Sequence, residues 1–155
     1  MDYRLYKSED FVELYAIEEE CFQPPFRFSR RYMRHLVQSS ESITWIAEKD
    51  GRMAGFAIAA FTEESDGVAA YVETIEVIPA QRERGVGGQL LQRIEYSARA
   101  MEAGLLWLHV EAGNASAMRL YEGQGYQCVG SEEDFYAPDR GALIYRKPLD
   151  AEMAG

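Results

Sequence analysis

Cysteine is scarce in this chain of 155 residues: Cys21 and Cys128 are its only two, and neither has C-x-x-C spacing or a nearby histidine in sequence. That pattern argues against a disulfide framework and against a metal site, and it fits the reduced thiols of a cytoplasmic protein. Long apolar runs are lacking as well. No stretch approaches the ~20 residues of a membrane span, and Met1-Asp2-Tyr3-Arg4 leads straight into a strand pattern rather than a signal peptide. Basic residues are few, 16 Lys and Arg against 26 Asp and Glu, for a net charge of −10. Sequence-independent nucleic-acid binding needs a basic face, so this balance speaks against it. An acidic surface suits a cationic amine, although it serves solubility equally well. There is no internal repeat and no low-complexity segment. The length fits one domain with a sizeable core, expected over residues 1–149, with 150–155 as a frayed tail. A monomer or weak homodimer is expected.

What the chain does contain is concentrated between residues 71 and 88. Ile75, Val77 and Ile78 read as a strand, which Pro79 stops because it cannot donate to a ladder. Arg82, Glu83, Arg84 and Gly85-Val86-Gly87-Gly88 then read as a loop whose amides can point inward. Leu90, Leu91 and Ile94 begin one apolar helix face. Backbone amides and the positive end of a helix cradle a pyrophosphate, and two arginines add charge-assisted donors. Spacing narrows the ligand. A dinucleotide fingerprint needs a third glycine where Leu90 stands, and there is no Gly-Lys-Ser/Thr for a P-loop. A glycine-rich connection with no ligand remains the bland alternative.

A second element spans residues 105–126. Leu105 to Val110 is a nearly continuous apolar run, as in a strand covered on both faces. Asn114 stands at a helix N-cap, with Ala117 and Tyr121 three and seven residues later on one face. Gly125 stands where a left-handed residue would close that helix.

The stretch Arg82-x-x-Gly85-x-Gly87 resembles the coenzyme A pyrophosphate loop of the GNAT acetyltransferase superfamily, and the Asn114–Tyr121–Gly125-Tyr126 element resembles its second coenzyme-contacting motif. The likeness covers roughly residues 2–149 and is weakest in the first 60. His109, Tyr71 and Phe135-Tyr136-Ala137-Pro138 look like the N-terminal protein acetyltransferase branch, the bacterial ribosomal-protein type and its eukaryotic and archaeal relatives. The implied fold is α/β (α+β), a central mixed seven-stranded sheet flanked by about four helices in the order β-α-α-β-β-β-α-β-α-β-β. The implied co-substrate is acetyl-CoA, without a metal. Its binding residues would be Ile75, Glu76, Val77, Arg82, Glu83, Arg84, Gly85, Val86, Gly87, Gly88, Asn114 and Ala117. Phe22, Glu73 and Tyr136 would bind the acceptor.

Acyl transfer to an amine requires that the amine lose a proton, that the carbonyl be polarised and that the thiolate be protonated as it leaves. No Ser-His-Asp set is present and no cysteine is activated, so direct transfer is expected over an acyl-enzyme. By resemblance Tyr121 protonates the coenzyme A sulfur. The alternative is a core tyrosine. The base is less settled by the sequence. Ribosomal-protein-type enzymes carry a glutamate where this chain has His109, and other members carry one where it has Tyr71. The Tyr71/His109 pair looks instead like one eukaryotic N-terminal acetyltransferase subtype. Glu73 alternates to the same strand face as Tyr71 and is the other candidate base. A buried core histidine is the competing reading of His109.

Deprotonation at pH 7 costs about 1 kcal/mol for an α-amine of pKa ~7.7–8.0 and about 4.6 for a lysine of ~10.4. A histidine suits the first and is a poor match for the second. The acceptor expected is thus a protein or peptide N-terminus. A small-molecule amine, such as a polyamine or an aminoglycoside-like antibiotic, and a non-catalytic acyl-CoA sensor are the alternatives.

Along the chain, residues 3–7 read as a strand and Ser8 to Cys21 as a helix broken by Gln23-Pro24-Pro25. Ser29 starts a second helix. Ile43–Glu48 and Met53–Phe61 read as a hairpin across Asp50-Gly51. Glu63–Gly67 reads as a polar turn, 86–102 as a helix, and Tyr126–Tyr136 with Ala142–Leu149 as the last two strands.

Overall fold

A computed structural model describes residues 1–149, so the expected tail at 150–155 lies outside the described residues. The elements are β1 (Asp2–Leu5), α1 (Phe11–Cys21), α2 (Arg30–Gln38), β2 (Ser42–Lys49), β3 (Arg52–Glu64), β4 (Gly67–Val77), α3 (Val86–Ala100), β5 (Ala103–Glu111), α4 (Ala115–Gly123), β6 (Gln127–Ala137) and β7 (Arg140–Pro148). The strands form one sheet in the order β1-β2-β3-β4-β5-β7-β6. All neighbours are antiparallel except β4 and β5, which α3 connects as a parallel pair.

Strand periodicity divides the core between the two faces of the sheet. On β3, Ala57 and Ala59 face Leu90, Leu91, Ile94 and Ala98 of α3. The alternate residues Phe56 and Ile58 pack with Phe11, Leu14 and Ile17 of α1 and Met33 and Leu36 of α2. Both faces are covered, which explains the nearly unbroken apolar run of β3. The β2–β3 hairpin turns on Asp50 (φ 53°) and Gly51 (φ 77°), the two positive angles that a tight type I′ turn demands.

Two boundaries depart from the sequence pattern. The first strand ends at Leu5 rather than residue 7, because the Asp10 carboxylate accepts from Lys7 N (2.7 Å) and from the Arg4 guanidinium, which turns the chain. The polar turn is shorter than 63–67, since β3 runs to Glu64 and β4 begins at Gly67.

The feature that makes a site is a gap in the sheet. The β4–β5 ladder pairs Val68 to Tyr71 with Ala103 to Trp107 and goes no further. Beyond Tyr71 the two strands splay. A bulge adds to this on β4: Val72 pairs with Ala59 and Thr74 with Ile58, which leaves Glu73 as the extra residue. Bulges re-aim side chains next to sites, and this one turns Glu73 toward the opening.

Candidate active site

Two cavities, each of about 740 Å³, meet in that gap. Cys21, Phe22, Ile75, Asn114, Ala117 and Tyr121 line both, so they form one continuous passage.

The first cavity lies between the C-terminal half of β4, the N-terminus of α3 and α4, and Ile75, Glu76, Val77, Arg82, Glu83 and Gly85 to Gly88 line it, whereas Arg84 does not. Gly85 is the N-cap of α3 in left-handed conformation (φ 81°) and offers no side-chain cap. The first amide bonded within this helix is Gln89 N, donating to Gly85 O at 3.0 Å. The N–H groups of Val86, Gly87 and Gly88 are therefore left for a ligand at the positive end of a 15-residue helix. This fits a pyrophosphate. Gly87 and Gly88 belong to the first turn of α3, as the helix expected over 86–102 places them, so the loop expected through Gly88 ends at Gly85. A Cβ on Gly87 would stand 3.4 Å from Leu120 and one on Gly88 3.0 Å from Gln124, so these glycines also let α4 approach. Arg82 holds the loop shut by donating from Nε to Val77 O (2.9 Å). Glu83 adopts φ 62° in the same turn. The Asn114 side chain caps α4 by accepting from Ala117 N at 3.2 Å.

The second cavity is aromatic and acidic. The Tyr71 hydroxyl lies 2.7 Å from Nδ1 of His109, and Nε2 of the same ring lies 3.0 Å from a carboxylate oxygen of Glu132. Both nitrogens of His109 are thus engaged, so it does not present a free edge to the cavity. Phe135 stacks on the imidazole (centroids 3.8 Å, 12°) and Trp107 flanks it. The irregular β6–β7 register explains this placement. Glu132 pairs with Ala142 and Ala137 with Arg140, and the residues between bulge out and carry Phe135 and Tyr136 over the site. From the opposite wall Phe26 reaches Tyr136 (ring centroids 5.1 Å), and the Arg140 guanidinium lies 5.2 Å from the Phe26 ring centre. These rings bridge the opening. Glu73 accepts from Tyr32 of α2 at 3.3 Å.

Burial sets the protonation states. It pushes the Tyr71 phenol well above its usual value, with the Glu73 charge adding to the effect. Tyr121, buried where the cavities meet, is likewise raised by burial and secondarily by Tyr136. Burial raises Glu73, partly offset by the Tyr32 hydrogen bond. The Cys21 thiol is raised first by burial and then by the charge of Glu76, which keeps it from acting as a thiolate nucleophile. The Glu76 side chain is buried beside Glu18 of α1. Glu18 Oε2 accepts from Phe28 N and Glu76 Oε2 from the Thr74 hydroxyl, while both Oε1 atoms have no other partner. One proton shared between the two carboxyls satisfies both, and burial followed by contact with Glu18 raises Glu76 far above the carboxylate range. Only the backbone of Glu76 is then available to a coenzyme.

Sequence reasoning passed over Glu132, Phe26, Tyr32 and Glu18. Glu132 sits on an edge strand whose residues are nearly all exposed, so no period marks it. Phe26 follows a proline pair, where no pattern applies, and Tyr32 lies in the short helix that Ser29 starts, where nothing local sets it apart. Among the described residues no group of three or more His, Cys, Asp or Glu is placed to hold a metal ion. No described helix is long and apolar enough to cross a membrane.

A parallel strand pair that splays over a helix N-terminus stripped of side-chain caps, opening onto a tyrosine at the junction of two cavities, defines an acyl-coenzyme transferase. Residues 11–126 match the Acetyltransferase (GNAT) family, and the chain belongs to it: it is an N-acetyltransferase with acetyl-CoA as co-substrate. Among relatives, it is 26% identical over 148 residues to the N-terminal acetyltransferase A complex catalytic subunit NAA10 of Arabidopsis thaliana, covering 94% of this chain and 76% of that one. It is 32% identical over 103 residues to the [Ribosomal protein bS18]-alanine N-acetyltransferase of Salmonella typhimurium, covering 64% and 67%. The crystal structure of the ribosomal-protein-S18-alanine N-acetyltransferase from Escherichia coli superposes with a TM-score of 0.83 at 25% identity, over 96% of this chain and 94% of that one.

Proposed function

We propose that residues 1–149 form a single domain that acetylates the α-amine of a protein or peptide N-terminus in the cytoplasm. The observation that carries this reading is the hydrogen-bonded Tyr71–His109 pair at the splay, 2.7 Å apart, facing the same cavity as Tyr121. A neutral imidazole suffices for an amine of pKa ~7.7–8.0 and is mismatched to one of ~10.4. The Phe26–Tyr136 contact supports it too, since a roof across the opening admits a chain end more readily than a side chain from mid-sequence. Relatives that act on protein N-termini agree with this.

In this reading the amides of Val86, Gly87 and Gly88, with Arg82 and Arg84 nearby, hold the pyrophosphate, and Asn114 contacts the pantetheine arm. Tyr71 takes the proton from the acceptor nitrogen as its own passes to His109. Tyr121 donates to the departing sulfur. Because burial raises the Tyr121 phenol, outright transfer to a thiolate of pKa ~8.5 is uphill, so its role is to stabilise that thiolate through a hydrogen bond. Phe22, Tyr136 and Glu73 shape the acceptor end.

A second reading has one specific observation in its favour. The cavity is roofed and carries the carboxylates Glu73 and Glu111, which would suit a compact polycation. A 100-residue match at 33% identity to a streptothricin acetyltransferase from Streptomyces lavendulae goes with it, covering 64% of this chain and 52% of that one. Mass spectrometry of a peptide bearing both a free α-amine and a lysine, after incubation with acetyl-CoA, tests the first reading. Acetyl on the α-nitrogen is expected. Acetyl on the lysine alone contradicts it.

A further inference from the structure

We propose that Glu132 is a positioning residue that fixes the tautomer of His109 and completes a proton path from the acceptor cavity to solvent. The inference rests on Tyr71 and His109 handling the amine proton, and it goes beyond that by adding the group that sets their polarity.

An ionised carboxylate only accepts hydrogen bonds. Glu132 lies 3.0 Å from Nε2 of His109, and its side chain is 48% exposed, so water solvates its carboxylate. Nε2 must then carry the hydrogen. In the neutral ring this leaves a lone pair on Nδ1, 2.7 Å from the Tyr71 hydroxyl, which therefore donates to it. The Tyr71 oxygen retains its own lone pairs toward the cavity. The opposite tautomer would place a hydrogen on Nδ1, turn the Tyr71 hydroxyl toward the acceptor as a donor, and hold an amine proton where one must be accepted.

The proton balance follows. The N–H bond of the acceptor breaks as an O–H bond forms on Tyr71, while the original Tyr71 proton moves to Nδ1. The ring becomes an imidazolium that donates from Nδ1 to Tyr71 and from Nε2 to Glu132. The Nε2 proton then leaves through the exposed carboxylate to water, which leaves the hydrogen on Nδ1; once the product has gone, Nε2 takes a proton back from water by way of Glu132, and the Nδ1 proton returns to Tyr71 as the Tyr71 hydroxyl proton passes to water in the emptied cavity. Net, one proton passes from the acceptor nitrogen to solvent. Geometry favours this exit over a direct one. The His109 side chain is only 6% exposed, Phe135 covers its face, and Trp107 and Tyr71 fill its other sides. The Glu132 edge is thus the polar route outward. The other titratable groups around the ring are Tyr71 and Glu73 of β4, Glu111 of its own strand and Tyr136 of β6. Arg140 of β7 is held by Glu111 at 3.0 Å, and Tyr32 of α2 by Glu73. None of these is hydrogen-bonded to Nε2.

The test compares Glu132→Gln and Glu132→Ala with His109→Gln and with the neighbouring surface change Glu133→Gln. The readouts are the pH dependence of kcat, the KM for acetyl-CoA, and the nitrogen chemical shifts of the His109 ring by NMR. Expected in both Glu132 variants are a kcat lower by about tenfold, an acid limb displaced to lower pH as the ring loses its anionic neighbour, and a mixed tautomer population. The KM for acetyl-CoA and the Glu133→Gln profile should stay unchanged. If His109→Gln erases the acid limb while the Glu132 variants leave limb and tautomer as in the parent, the proposal is overturned and the His109 reading stands. If His109→Gln leaves the limb in place, both fall together.

Discussion

The ring of Phe135 lies parallel to the imidazole of His109, with centroids 3.8 Å apart and planes within 12°. The stack excludes water from the face of the ring while leaving its two nitrogens to Tyr71 and Glu132. It exists because the β6 bulge projects Phe135 over a strand that pairs two positions away from it in the sheet. Phe135→Ala should open that face. An aromatic stack is worth ~0.5–1.5 kcal/mol beyond its burial, so steady-state kinetics should show kcat/KM for the acceptor lower by about two- to tenfold. The KM for acetyl-CoA should not change.

Tyr121 stands where the two cavities join, with its phenol kept protonated by burial. Tyr121→Phe should retain coenzyme binding by calorimetry and lower kcat by ~10²–10³, the usual range for losing a hydrogen-bond donor to a developing anion. Activity within a few-fold of the parent would make Tyr121 a packing residue.

At the N-terminus of α3, Gly87→Asp would put a carboxylate beside the three amides that no side chain caps. The charge favours the helix and opposes a pyrophosphate. Calorimetry should show coenzyme affinity reduced by at least about tenfold, with circular dichroism showing the fold retained. Unchanged affinity would remove this site.

The architecture was legible where periodicity and punctuation agree. Asp50-Gly51 marks the hairpin, Pro79 ends a strand, and Gly125 closes α4 at φ 93°. The uncapped N-terminus of α3 proposed to hold the coenzyme was readable because its donors are backbone amides, and glycine spacing reports on backbone. The acceptor side was less legible. Tyr71 and His109 stand on adjacent strands, but their union depends on where the β4–β5 ladder stops, which no local pattern encodes. Glu132 and Phe135 are brought in by a bulge of several residues, and Glu73 is re-aimed by another. The Glu18–Glu76 pair joins positions 58 residues apart, on elements that meet only when α1 packs on the sheet.

That pair predicts a pH dependence of stability. Burial and then Glu18 raise Glu76 above its ordinary value of 4.5, so between that value and the raised one the folded protein holds a proton that the unfolded chain has released. The stability contributed is complete below about pH 4.5 and is lost as the pH rises through the raised value. Glu76→Gln keeps a neutral, hydrogen-bonding side chain at that site. Thermal denaturation should show its Tm rising relative to the parent at pH 9 and little changed at pH 5. Equal shifts at both values would show that the carboxyls do not share a proton.

If Tyr71 and His109 deprotonate an α-amine, the pKa of the acceptor decides which amines turn over. The direct measurement is acetyl-CoA turnover against three acceptors: a peptide with a free N-terminus, the same peptide N-terminally blocked but carrying a lysine, and spermidine. The expected kcat/KM for the free N-terminus exceeds that for the blocked lysine peptide by at least about a hundredfold, since the difference in deprotonation cost is about 3.6 kcal/mol. His109→Gln should remove most of that turnover. Faster turnover of spermidine or of the lysine peptide, with His109→Gln still active, would contradict it.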